Sequence, residues 1–199
     1  MADVMVLFVE GETDLVFYNE VIELIRSRSC TGLFHCNIEK KNLKGIGNFK
    51  NKLMRKFNND IIPKFKDQNI VVFLCYDTDV FGFHNSPKID WLQIKRQLLE
   101  SGANKVHFIK AEKCIEDWFL IDKEGICRFL RLDENTRLKG MNGVEKMENL
   151  FKKANKVYVK GKSVNGLIQT LDIEKIVLGK IEIFRPIYKI LGITDDNLN

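Results

Sequence analysis

The chain has 199 residues, 45% hydrophobic and 30% charged, with 32 Lys/Arg against 27 Asp/Glu for a net charge of +5. This composition belongs to a folded globular protein able to bury roughly two-thirds of its unfolded surface, and its 14 Phe residues argue against a disordered chain. The longest apolar runs, Val4–Val9 and Ile70–Tyr76, fall far below the ~20 residues of a bilayer-spanning helix, so no membrane partner is expected.

In chain order, residues 3–10 (DVMVLFVE) form an apolar run ending in an acid, the pattern of a buried parallel strand. Gly11 punctuates it, and Thr13 or Asp14 can cap a helix whose apolar positions are Leu15, Tyr18, Ile22 and Ile25. A short second strand is expected at 33–38. Phe49, Leu53, Phe57, Ile61 and Phe65 recur every four residues and predict an amphipathic helix, ended or kinked at Pro63. Residues 70–76 (IVVFLCY) are the strongest strand, followed by Asp77 and Asp79. A helix over 91–99 and a strand over 105–109 complete a β-α-β-α-β-α-β order. That order predicts an α/β fold with a mostly parallel sheet flanked by helices. Beyond Ala111 the pattern is mainly helical, at about 115–131, 143–153 and 164–191, with a short strand at 156–160 and a loop at 132–143.

The +5 hides its own distribution. Residues 38–66 carry +7 and residues 137–162 carry +6, leaving −8 elsewhere. Two basic segments on an acidic remainder suit a polyanion such as nucleic acid on one side. Lys40, Lys41 and Lys44 follow the expected second strand and can share a rim with the acids. Lys52 and Arg55 fall on the polar face of the expected 49–65 helix. His84, just past the second acidic motif, reads as a loop residue and His107 as a strand residue. The five cysteines form no CxxC pair, which fits a reducing cytoplasm; Cys30, His35 and Cys36 lack the further ligands that structural zinc needs. Asp3 and the lack of a basic start do not read as a signal peptide.

Two strands end in carboxylates, Glu10 with Asp14 nearby, and Asp77 with Asp79. Ligands of open α/β sheets gather at such ends. If the first and third strands are neighbours, Glu10, Asp77 and Asp79 converge, and their repulsion calls for a cation. All-oxygen ligands select a hard ion, Mg²⁺ or Mn²⁺.

FVEGETD (8–14) followed by FLCYDTDVFG (73–82) resembles the Toprim domain of topoisomerases, primases, OLD-type nucleases and small bacterial nucleases. The matching residues are Glu10, Gly11 with Asp14, Asp77 with Asp79, and Gly82. AEKCIEDWFLID (111–122) is similar to the acidic-aromatic helix of small stand-alone Toprim proteins of the RloB and abortive-infection type, with Glu116 as the extra acid and Trp118 as a packing residue. The resemblance implies a Rossmann-like Toprim domain over 1–123 with a mainly helical extension over 124–199. It implies a small stand-alone metal-dependent nuclease cleaving RNA, such as transfer RNA, or DNA, as the effector of a phage-defence system. Asp77 and Asp79 would hold one or two Mg²⁺ ions, with Glu10 as ligand or acid/base, Asp14 as a further ligand and Glu116 completing a second position. A late lysine, Lys160 or Lys162, would offset transition-state charge. Lys160-Gly161-Lys162-Ser163 lacks the upstream glycine of a P-loop, so an ATPase half, if the activity needs one, would be a separate protein. The apolar C-terminal stretch is expected to pack internally, with a homodimer face as the alternative.

Two other readings stand beside this one. CYDTDVFG also resembles the first motif of haloacid-dehalogenase phosphatases, but that motif normally follows the first strand and the reading leaves EGETD unused. A non-catalytic nucleic-acid or partner-binding module would keep the basic segments and have no use for the acids.

Overall fold

The computed structural model describes residues 3–28, 36–79, 88–160 and 165–193. Its centre is an all-parallel four-stranded sheet in the order β2-β1-β3-β4, formed by β1 (Val4–Val9), β2 (Asn37–Asn42), β3 (Ile70–Asp77) and β4 (Lys105–Ala111). β1 and β3 are buried along their whole length because helices cover both faces, which is why they read as unbroken apolar runs. The fold is α/β, as the alternation of elements predicts.

Side chains alternate across the sheet. Met5, Leu7, Val9, Phe73 and Cys75 face α1 (Glu12–Ser27) and the C-terminal helices, while Val4, Val6, Phe8, Val72 and Leu74 face the opposite layer. That opposite layer holds α2 (Asn48–Asn51), α3 (Leu53–Lys56), a π-helical turn (Phe57–Ile61) and α4 (Trp91–Glu100). The stripe Phe49, Leu53, Phe57, Ile61 and Phe65 is buried as expected, but its helix is not uniform. A four-residue repeat overshoots a 3.6-residue turn by about 40° each time. The wide turn closed by Ile62 N–H donating to Phe57 O at 3.0 Å takes up that excess.

Two strand expectations need correction. The second strand lies at 37–42 rather than 33–38, so Lys40 and Lys41 are inside it instead of beyond its end. An edge strand needs no apolar run, and NIEKKN carries the charges that protect such an edge. Residues 156–160 are not part of the four-stranded sheet and keep only an isolated bridge at Val159, although their alternation persists: Tyr158 is buried while Val157 and Val159 point outward.

The helical reading of the C-terminal part holds, in shorter pieces. These are α5 (Glu116–Phe119), a 3₁₀ turn (Leu120–Asp122), α6 (Lys123–Leu130), α7 (Gly143–Lys153), α8 (Asn165–Ile168), α9 (Ile173–Leu178) and α10 (Ile181–Ile190). Asp122 makes one break: its Oδ1 accepts from Gly125 N to cap α6, and its Oδ2 accepts from Asp172 N. The C-terminal helices share one apolar core with α1 and the sheet, including Trp118, Met147, Ile176 and Phe184.

Gly143 lets α7 close on α5. A β-carbon there would lie 2.6 Å from Asp117 N and 2.9 Å from Asp117 Cγ. Gly143→Ala is therefore expected to force the helices apart and cost about 1–3 kcal/mol, read as a lower urea midpoint.

Candidate acidic active site

In a 2-1-3-4 strand order the connections leave β1 to one side and continue from β3 to the other, and the crevice outside the carboxyl ends of these two parallel strands is the natural ligand position. A cavity of about 430 Å³ lies there, lined by Glu10, Asp14, Asp77, Glu116, Lys44 and Lys160, among others.

Each acid has a backbone reason for its place. Glu10 leaves β1, and its Oε1 accepts from Asp77 N at 2.6 Å, tying the two strand ends together. Asp14 sits in the first turn of α1 and accepts from Gly11 N at 2.9 Å. Gly11 is extended (φ −143°), so it serves space rather than conformation: a β-carbon would approach Asp14 Oδ2 to 3.3 Å. Asp77 ends β3; its Oδ1 accepts from Ile115 N at 3.0 Å, which anchors the turn before α5. Glu116, fully buried on α5, accepts from Tyr158 Oη at 2.8 Å through Oε1. Its Oε2 has no hydrogen-bond partner.

Lys160 joins this group from the C-terminal part. Its Nζ donates to Asp77 Oδ2 at 2.9 Å and to Asp79 Oδ2 at 3.0 Å. The two aspartates thus do reach one cation, and that cation is an ammonium. Extended backbone places Tyr158 and Lys160 on the same side, so one segment serves both Glu116 and the Asp77–Asp79 pair. Asp79 lies past the end of β3 and lines a neighbouring cavity instead of the main one; its Oδ1 is buried without a partner.

Crowding shows in the protonation equilibria. Burial, then the charge of Asp77, raises Glu10 to about 8. The same causes raise Asp14 to about 7. Burial raises Asp77 to about 6 against the pull of Lys160. Burial opposes the Lys160 charge, but Asp77 and Glu116 outweigh it and its pKa rises. Tyr158 is raised by burial and by Glu116, so it remains a donor. Raised acids bind protons on folding. Their stabilising contribution is complete below the unfolded values near 4 and is lost as pH rises through 6 to 8. Without divalent ions, stability from this cluster is therefore expected to fall by a few kcal/mol between about pH 4 and 8, measured by urea unfolding in EDTA.

The basic residues divide. Lys44 lines the cavity, held in a left-handed turn (φ 60°) whose N–H donates to Asn42 Oδ1 at 2.7 Å. Lys40 lies on the α1 side of β2, where burial lowers its pKa. Lys41 pairs with Glu39 and Asp60 on the other face. Neither lines the cavity, and nor do Lys52 and Arg55, which belong to the α2–α3 segment. Lys162, Gly82, His84, Cys30 and His35 lie outside the described residues. Cys36, Cys75, Cys114 and Cys127 are buried and unpaired, and His107 stacks on Phe73 at 5.0 Å. Sequence reasoning missed Tyr158, Asn42 and Gly45; the Tyr-x-Lys alternation was the available signal for the first.

The donor set, carboxylate oxygens with two buried ones unpartnered, has the chemistry of a hard-cation site. Among the described residues, however, no three His, Cys, Asp or Glu side chains form a ready-made metal cluster. No protein-family model, curated protein or solved structure matches the chain. Among the described residues no helix is long and apolar enough to cross a membrane.

Proposed function

We propose that this chain is a metal-dependent nuclease that cleaves phosphodiester bonds at the β1–β3 cavity. The observation that carries the reading is the convergence of Glu10, Asp14, Asp77 and Glu116 on one cavity, with the Lys160 ammonium at its wall. The resemblance of FVEGETD and YDTD to Toprim motifs supports it. Glu10, Asp14, Asp77 and Glu116 are the residues that would hold Mg²⁺ or Mn²⁺, with Asp79 reaching the group beside Lys160. A divalent ion there supplies Lewis-acid stabilisation of the transferring phosphoryl group and lowers the pKa of bound water. Glu10, raised to about 8 in the metal-free chain, would act in one of two ways: as a ligand that gives up its proton to the bound ion, or as the acid/base that moves a proton at the reacting oxygens. Lys160 offers a positive charge to an extra equatorial negative charge. Tyr158 fixes the rotamer of Glu116. A reducing cytoplasm, an ATPase supplied as a separate protein, a homodimer and a role in phage defence belong to this same proposal.

A second reading has one observation in its favour. Lys160 already neutralises part of the Asp77–Asp79 charge, as a non-catalytic binding module would need. Incubation with Mg²⁺ or Mn²⁺ and a panel of DNA, RNA and transfer RNA separates the two. Cleavage by the wild type that disappears in Glu10→Ala and Asp77→Ala supports the nuclease. Binding without cleavage supports the module, and phosphatase turnover alone rejects both.

A further inference from the structure

Three cavities lie side by side along the carboxyl edge of the sheet. The acidic cavity spans the ends of β2, β1 and β3. Lys160, in its wall, also lines a second cavity of about 530 Å³ beyond β3, together with Asp79 and Lys113. Lys113 in turn lines a third of about 540 Å³ past the end of β4, with Lys110, Trp118 and Lys180. The three spaces are thus linked by two lysines, in the strand order of the sheet.

The β4 side has the features of a built surface. Lys113 is a non-glycine residue in the left-handed region (φ 65°), a conformation that costs on the order of 1 kcal/mol. It is held there by the acidic turn: its N–H donates to Thr78 Oγ1 at 2.9 Å, and its carbonyl accepts from Thr78 N at 3.0 Å and Asp79 N at 2.8 Å. The position of Lys113 is therefore coupled to Asp77–Asp79. Glu112 and Asp117 stand close by, yet Lys110, Lys113 and Lys180 take no part in the ion pairs found among the described residues. The second cavity also has Glu145 and Glu148 in its wall; the Glu145 carboxylate is engaged with Met141 N and Asn142 Nδ2, so the basic side of the groove is that of Lys110, Lys113 and Lys180.

We infer that the three cavities form one groove for a single nucleic-acid strand, with Lys110, Lys113 and Lys180 contacting phosphates on the β4 side of the acidic cavity. The inference rests on the nuclease reading for the occupant of the acidic cavity, and it places the backbone contacts away from the α2–α3 segment. Lysines distributed over adjoining cavities match the succession of phosphates along one strand.

The test is fluorescence anisotropy with labelled single-stranded RNA and DNA about 12 nucleotides long, in EDTA so that binding is read without cleavage. The combined variant Lys110→Glu, Lys113→Glu, Lys180→Glu is expected to bind at least about tenfold more weakly. Its log K against log salt slope should be shallower by about 2, the value for three lost contacts to a single strand. A preference between the RNA and DNA arms identifies the strand. The single-strand assignment is contradicted if a duplex of the same length binds as tightly as the single strand and depends equally on the three lysines. Unchanged affinity in that variant overturns the groove, and so does an equal loss in Lys52→Glu, Arg55→Glu on the rival surface. Groove-dependent binding with no cleavage in Mn²⁺ rejects the nuclease reading and leaves the groove. Cleavage with wild-type KM in the triple variant rejects the groove and leaves the nuclease.

Discussion

Asp77→Asn is expected to lower cleavage about 10³-fold, or about 4 kcal/mol of transition-state stabilisation, while leaving the fold intact. Asparagine keeps an oxygen for the Ile115 N–H, so the turn that positions Glu116 retains its anchor. What disappears is the charge at the centre of the cluster: Asp77 is the acid that interacts with Glu10, Asp14 and Lys160 alike. With that charge gone, Glu10 and Asp14 should titrate closer to ordinary carboxylates. The variant is then expected to lose less stability than the wild type as pH rises toward 8 in EDTA. Steady-state cleavage in Mn²⁺ and urea unfolding across pH read the two effects separately. A variant that loses activity only in proportion to its folded fraction would remove Asp77 from the chemistry.

Lys160→Met should separate metal affinity from turnover. The ammonium holds Asp77 and Asp79 in the metal-free chain, and a divalent ion must compete with it for the same oxygens. Removing it is expected to tighten divalent binding and, at the same time, to slow cleavage about 10²–10³-fold, the usual effect of losing one donor to developing charge. Metal-free stability near pH 8 should fall by roughly 2–3 kcal/mol. That is less than for a fully buried pair, because the Lys160 side chain is 40% exposed while that of Asp77 is 5% exposed. Calorimetric titration and single-turnover kinetics measure the opposed changes. A purely structural lysine would lower stability without moving metal affinity upward.

Much of this arrangement was legible before the structure, for definable reasons. β1 and β3 are buried on both faces, so they read as continuous apolar runs ending in Glu10 and Asp77. Their adjacency then brings those acids together. β2 was misplaced because an edge strand is selected for charge rather than apolarity. The helical stripe through Phe49 and Phe65 was visible, but its π turn depends on how a four-residue repeat packs against a sheet. The 156–160 segment carries strand-like alternation for another purpose: it turns Tyr158 and Lys160 inward without joining the four-stranded sheet. Net charge was the least informative feature. Of the basic residues expected around the site, Lys44 and Lys160 line the acidic cavity. Lys40, Lys41, Lys52 and Arg55 lie elsewhere, because segment charge carries no information about which face a lysine occupies.

The central claim is that the acidic cavity takes a hard divalent cation, and calorimetric titration of Mn²⁺ into the metal-free protein at pH 7.5 tests it most directly. Saturable binding of one or two ions, releasing protons from the raised carboxylates and abolished in Asp77→Asn, is the predicted result. Absence of saturable binding in the wild type, or equal binding in Asp77→Asn, would contradict it.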